Sequence, residues 1–103
     1  AEGKADAAWA LATLANNSED NKVTIMRAGA VDPLVQLLRT GDAKGKAQAA
    51  MAMCNLAYSN NDNRVAIAHA GAMDPLVQLL HTGNAKGVAM AAEALRNLAY
   101  NNA

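Results

Sequence analysis

The chain repeats itself with a period of 42 residues, and that constrains its fold more than any other feature. Ala30-Val31-Asp32-Pro33-Leu34-Val35-Gln36-Leu37-Leu38 returns as Ala72-Met73-Asp74-Pro75-Leu76-Val77-Gln78-Leu79-Leu80. Aligning residues 30–61 with 72–103 gives 22 identities in 32 positions, and aligning 1–29 with 43–71 gives 15 in 29. A chain with such a period stacks like units, each burying its apolar face on the next. At 103 residues this is a single domain.

Punctuation inside one period divides it into three helices. Gly29 and Gly71 follow short apolar-periodic runs, Val23-Thr24-Ile25-Met26 and Val65-Ala66-Ile67-Ala68, and read as helix C-terminal glycines. Asp32-Pro33 and Asp74-Pro75 read as an Asp N-cap with Pro at the first helical position. The second helix is expected over about 33–40 and 75–82, ended by Gly41 and Gly83. A longer third helix follows at about 44–58 and 86–100, with a counterpart at about 3–16, ending in turns such as Asn16-Asn17-Ser18 and Ser59-Asn60-Asn61. Asp20 and Asp62 lie near the start of the next short first helix, where negative charge is favoured. The order is a third helix, then first-second-third twice, which makes seven helices.

Composition agrees with an all-α chain. Twenty-six residues are Ala, the best helix former, and only two are Pro. There is no Phe and aromatics total 3%, so the core must come from Leu, Val, Met and Ala-lined surfaces that approach closely. The charges balance at 9 Lys+Arg against 9 Asp+Glu, which removes the basic excess that nucleic-acid or polybasic membrane-surface binding needs. No apolar run approaches a membrane span, and the start, Ala1-Glu2-Gly3-Lys4, is no signal peptide. One Cys rules out an internal disulfide framework and fits a reducing compartment, so a cytoplasmic or nuclear location is expected unless the chain is engineered.

Period and helix pattern together resemble the armadillo repeat, whose units of about 42 residues fold as one short and two longer helices. The residues that carry the resemblance are the Gly before the second helix, the Asp-Pro-Leu-Val-Gln-Leu-Leu opening, and the third-helix ends Cys54-Asn55-Leu56-Ala57 and Arg96-Asn97-Leu98-Ala99. The resemblance implies an all-α, right-handed solenoid of about two and a half repeats. Residues 1–29 form a partial repeat plus the next first helix, 30–71 one period, and 72–103 the last second and third helices.

Residues at i, i+3, i+4 and i+7 share one helix face. On the third helices one such stripe is Gln48, Met51, Asn55, Tyr58, with equivalents Asp6, Trp9, Thr13, Asn16 and Met90, Glu93, Asn97, Tyr100. The resemblance implies that third helices line a concave groove, where a Trp and an Asn four residues later hold a bound peptide. Carried over, the Trp position holds Trp9, Met51 and Glu93, and the Asn position Thr13, Asn55 and Asn97, so no repeat has both residues. The pattern therefore departs from that of the family's nuclear-localisation-signal binders.

The amide chemistry is sound on its own terms. A primary amide offers two donors and an acceptor, enough for the N–H and C=O of one extended residue. Packed helices lie about 8–10 Å apart, and two extended residues span roughly 6.6–6.8 Å. On a curved inner face, one Asn per repeat can hold alternate residues. Selectivity would then fall to Trp9, Met51, Glu93, Arg96, Tyr58 and Tyr100. Simpler readings stand beside this one. Asn55 and Asn97 can cap or bridge neighbouring helices, Trp9 can be a packing residue, the Met residues can fill core, and the two Tyr can pack on the next repeat.

Nothing points to catalysis or a cofactor. Cys54 has no Cys or His in a local motif, His69 and His81 are isolated, and no phosphate-loop pattern surrounds Lys44 or Lys86. Stacked repeats expose apolar end faces unless polar caps cover them. Ala8, Leu11, Ala12 and Ala15 on the first helix, and Ala92, Leu95, Leu98 and Ala99 on the last, are expected to be partly bare. That predicts a fragment or engineered array, or ends covered by other copies through Ala8, Leu11, Ala15, Leu95 and Leu98. Two functions follow: a scaffold holding an extended peptide, and a homo-oligomer joined through its end faces.

Overall fold

A computed structural model describes residues 2–100. It contains seven helices and, among these residues, no strand: α1 Glu2–Ala15, α2 Glu19–Arg27, α3 Val31–Thr40, α4 Ala43–Ala57, α5 Asn61–His69, α6 Met73–Thr82 and α7 Ala85–Ala99. The long helices α1, α4 and α7 pack side by side in one row. Helices α3 and α6 form a second layer, each lying on the long helix that follows it. The short α2 and α5 join the layers, and the array is an all-α solenoid.

Local chemistry sets each boundary. Ser18 Oγ accepts the Asn21 N–H at 3.2 Å and Asn60 Oδ1 accepts that of Asn63 at 2.9 Å, starting the two short helices. Asp42 and Asn84 cap the long helices in the same way, through Gly45 N at 2.8 Å and Gly87 N at 2.9 Å. Gly29 and Gly71, at φ 84° and 90°, close the short helices as expected. The Gly29 N–H donates to Met26 O and the Ala30 N–H to Ile25 O, the paired bonds that end a helix in a left-handed residue. Gly41 is required for a different reason. Its φ is an ordinary −73°, but a Cβ there would lie 2.6 Å from Leu37 O.

The expected Asp-Pro start of the second helix is corrected by two residues. The N-caps are Ala30 and Ala72, with no side-chain cap bond, so Asp32 and Asp74 lie inside the first turn. Pro33 and Pro75 still cost nothing there, because first-turn N–H groups have no intrahelical partner.

The core is built from small residues between the long helices and Leu, Ile and Met at the junction with the second layer. Ala8, Ala12, Ala15, Ala49, Ala50, Ala52 and Ala57 are almost fully buried, as are Leu38, Met53, Leu56, Ile67, Leu76 and Leu98.

This arrangement corrects the expected end faces. On α1, Ala8, Ala12 and Ala15 are buried, because that stripe is the one packed on α4, and Leu11 is half-buried. The bare residues are instead Ala7, Ala10 and Leu14. Leu14 occupies the repeat position of Leu56 and Leu98, which are buried at the junction with α3 and α6; among the described residues no second-layer helix precedes α1. On α7, Leu98 is buried for that reason and Leu95 is half-buried, while Ala92 and Ala99 are exposed as expected. Met73, Val77 and Leu80 on α6 extend this second apolar face; their counterparts Val31, Val35 and Leu38 are buried.

Candidate functional site

The stripe on α1, α4 and α7 is one continuous face, but its members differ in what they offer. Asn55 and Asn97 are half-buried and tie the long helices together in one register. Asn55 Nδ2 donates to Ala12 O at 2.8 Å, and Asn97 Nδ2 donates to Cys54 O at 3.0 Å and to Cys54 Sγ at 3.2 Å. Ala12 and Cys54 are equivalent positions, so the tie is itself part of the repeat. The bridging role thus exists. It also fixes each amide, with Nδ2 toward the neighbouring helix. The carbonyl oxygen then points the other way and accepts no hydrogen bond among the described residues.

Around these amides the exposed members are Trp9, Glu93, Arg96, Tyr58 and Tyr100, with Met51 half-buried. Thr13 is exposed, but its hydroxyl donates to Trp9 O at 2.9 Å, a bond within its own helix. Gln48 is the exception to the expected accessible stripe. It is 7% exposed and its Oε1 is shut from solvent without a partner. Its helix is flanked by a long helix on each side, whereas Asp6, its equivalent on the outer helix α1, is exposed. Gln48 therefore contributes to packing rather than to an open face.

Tyr58 and Tyr100 end the long helices α4 and α7 as their C-caps. Both are mostly exposed, and each ring carries a cation from a short helix: Lys22 Nζ lies 5.3 Å from the Tyr58 centroid, and the Arg64 guanidinium 5.0 Å from that of Tyr100. Lys22 also donates to Tyr58 O at 2.7 Å and to Glu19 Oε1 at 3.3 Å. Sequence reasoning missed Lys22 and Arg64. The signal was a basic residue recurring 42 positions apart, in step with the recurring tyrosine.

Between α1, α4 and α7 a shallow depression of about 260 Å³ is lined by Asn16, Asn17, Lys22, Cys54, Asn55, Tyr58, Glu93, Arg96 and Asn97. It joins the amides to the tyrosine end of the face. Burial pushes the Cys54 thiol pKa up, Glu93 pushes it further the same way, and Arg96 opposes them. A protonated thiol is a poor nucleophile, so Cys54 acts here as a small, weakly polar wall. Among the described residues no group of three His, Cys, Asp or Glu is placed to hold a metal, and no helix is long and apolar enough to cross a membrane.

The armadillo/beta-catenin-like repeat model matches residues 18–58 and 60–100. The chain belongs to the armadillo repeat family. Solved structures similar to it include designed proteins. One, a designed armadillo repeat protein in complex with the peptide (KR)4, is 33% identical with a TM-score of 0.89, over 95% of this chain and 41% of that one. A second, from computationally designed armadillo repeat proteins for modular peptide recognition, is 31% identical with a TM-score of 0.90, over 96% of this chain and 42% of that one. A third, described as an engineered protein, is 34% identical with a TM-score of 0.88, over 92% of this chain and 39% of that one. The chain thus spans about two-fifths of the length of these structures. No curated protein matches it in sequence. Each matched segment ends on a long helix, α4 in the first and α7 in the second, and α1 is their equivalent one period earlier.

Proposed function

We propose that the chain is a non-catalytic scaffold that holds an extended peptide along its third-helix face, with Asn55 and Asn97 gripping the peptide backbone. The observation that carries this reading is the repeated amide register. Each Asn is anchored at 2.8–3.0 Å to the helix before it, which leaves a carbonyl oxygen for a ligand at the same point of successive repeats, and at Asn55 one N–H as well. An amide already held in one rotamer loses little entropy on binding. Trp9, Met51, Glu93 and Arg96 flank the amides and would read side chains, and Tyr58 and Tyr100 bound the far edge. The peptide carried by a designed neighbour supports the same use of the fold.

The test is the affinity of a short uncharged extended peptide for the chain and for Asn55→Ala and Asn97→Ala, with helicity checked by circular dichroism. Binding should weaken roughly tenfold for Asn55→Ala, which gives up two backbone bonds, and about threefold for Asn97→Ala, which gives up one. Unchanged affinity in folded variants rules out backbone holding by these residues.

A second reading, self-association, is favoured by the exposed apolar residues at both ends: Leu14 at 54%, Met73 at 37%, Val77 at 44% and Leu80 at 37%. Leu11 and Leu95 would border such a contact, whereas Ala8, Ala15 and Leu98 lie inside the chain. Light-scattering mass decides it: a constant 10.6 kDa across concentrations excludes assembly, and a larger mass that falls for Val77→Glu supports it.

A further inference from the structure

The two repeats differ at one corner, and the difference leaves a buried cation without an ion pair among the described residues. In the first, Lys22 is 3% exposed, lies over the Tyr58 ring, and is neutralised by Glu19 at 3.3 Å. Glu19 is held in turn by Asn60, whose Nδ2 donates to Oε2 at 3.0 Å. Forty-two residues on, Lys22 becomes Arg64, Tyr58 becomes Tyr100, and Glu19 becomes Asn61. Arg64 is 5% exposed and lies over the Tyr100 ring, but forms no ion pair among the described residues, and its Nε is shut from solvent with no hydrogen-bond partner. A nearly buried charge left without a counter-charge is costly, so an anion that reaches it gains more than at an open surface.

We propose that the Arg64–Tyr100 corner accepts a carboxylate, supplied by an acidic side chain of the peptide bound on the third-helix face. The first repeat shows what this corner holds when the chain provides the anion itself: the carboxylate of Glu19. Tyr100 is 64% exposed and follows Asn97 by three residues, so a strand gripped by Asn97 passes the corner. A ligand cation is disfavoured there, because Arg64 already occupies the face of Tyr100 and meets it with like charge. A guanidinium is instead suited to a carboxylate, as the Lys22 ammonium is to Glu19. The inference rests on the strand reading above and adds the chemistry that the strand must carry.

The experiment is calorimetric titration of the 103-residue chain with three peptides that differ only in one central Glu, Gln or Lys. The Glu peptide should bind about tenfold more tightly than its Gln twin at low salt, and the Lys peptide more weakly than either. Asn61→Glu supplies the missing carboxylate from the chain, at the exposed first residue of α5, where negative charge suits the helix dipole. That variant should lose the preference for Glu and keep its affinity for the Gln peptide. Equal binding of the Glu and Gln peptides, or a preference that survives Asn61→Glu, overturns the inference and leaves the strand reading standing. Failure of all three peptides to bind overturns both.

Discussion

Leu14, Leu56 and Leu98 occupy one repeat position in three settings, so truncating each to Ala separates sequence from context. Leu56 is 0% exposed within the central helix of the array. Removing its three outer carbons forfeits about 2.4 kcal/mol of transfer free energy at about 0.8 kcal/mol per carbon, and the helices on either side limit collapse of the cavity. Leu56→Ala should therefore cost about 3–4 kcal/mol. Leu98 is 1% exposed, but Ala92 and Ala99 beside it face solvent, so its surroundings relax more easily. Its truncation should cost about 2–3 kcal/mol. Leu14 is 54% exposed, so only about half of the transfer is at stake and no closed cavity forms; the cost should be about 1 kcal/mol. Urea unfolding followed by circular dichroism, with a common slope, gives the three differences. An order of Leu56, then Leu98, then Leu14 supports the helix arrangement. A Leu14→Ala cost equal to that of Leu56→Ala refutes it, because α1 would then bury its apolar stripe against something else.

Three further outcomes are expected. Gly41→Ala places a Cβ 2.6 Å from Leu37 O, so it should destabilise by about 1–3 kcal/mol; a neutral melt would show that the α3–α4 turn is looser than described. Ser18→Ala removes the cap on α2 and should cost about 1 kcal/mol in urea unfolding, with no cost arguing that Asn21 N–H finds another acceptor. Cys54 should alkylate slowly at neutral pH, with a rate that climbs only above the ordinary thiol range; Glu93→Gln lowers that midpoint and Arg96→Gln raises it. Iodoacetamide rates measured against pH check the signs, and a midpoint unmoved by Glu93→Gln removes that carboxylate from the thiol's surroundings.

The helices were legible because glycine, Asx caps and the 42-residue period act locally. The boundaries at Gly29 and Gly71 rest on a left-handed backbone conformation that glycine itself favours. The Asp32-Pro33 start misled because Pro suits any first-turn position, so the pair fixes the neighbourhood but not the residue. Burial along the stripe was less legible. Periodicity puts Gln48 and Asp6 on the same face, yet only Gln48 has a long helix on each side. The same limit hid the bare residues of α1: heptad-like spacing cannot say whether Ala8 or Leu14 faces α4. Lys22 over Tyr58 and Arg64 over Tyr100 span 36 residues and need the tertiary fold to meet. The Asn55 and Asn97 ties lay between the two cases, since their residue type and repeat position were visible but their partners Ala12 and Cys54 were not.

The most direct test of the third-helix face as a peptide holder follows the side-chain amide signals of Asn55 and Asn97 by nuclear magnetic resonance during titration with an uncharged extended peptide. The account predicts saturable shifts at both amides, with smaller ones at Trp9 and Tyr100. Shifts confined to α2, α3 or α6, with both amides unmoved at saturation, would contradict it.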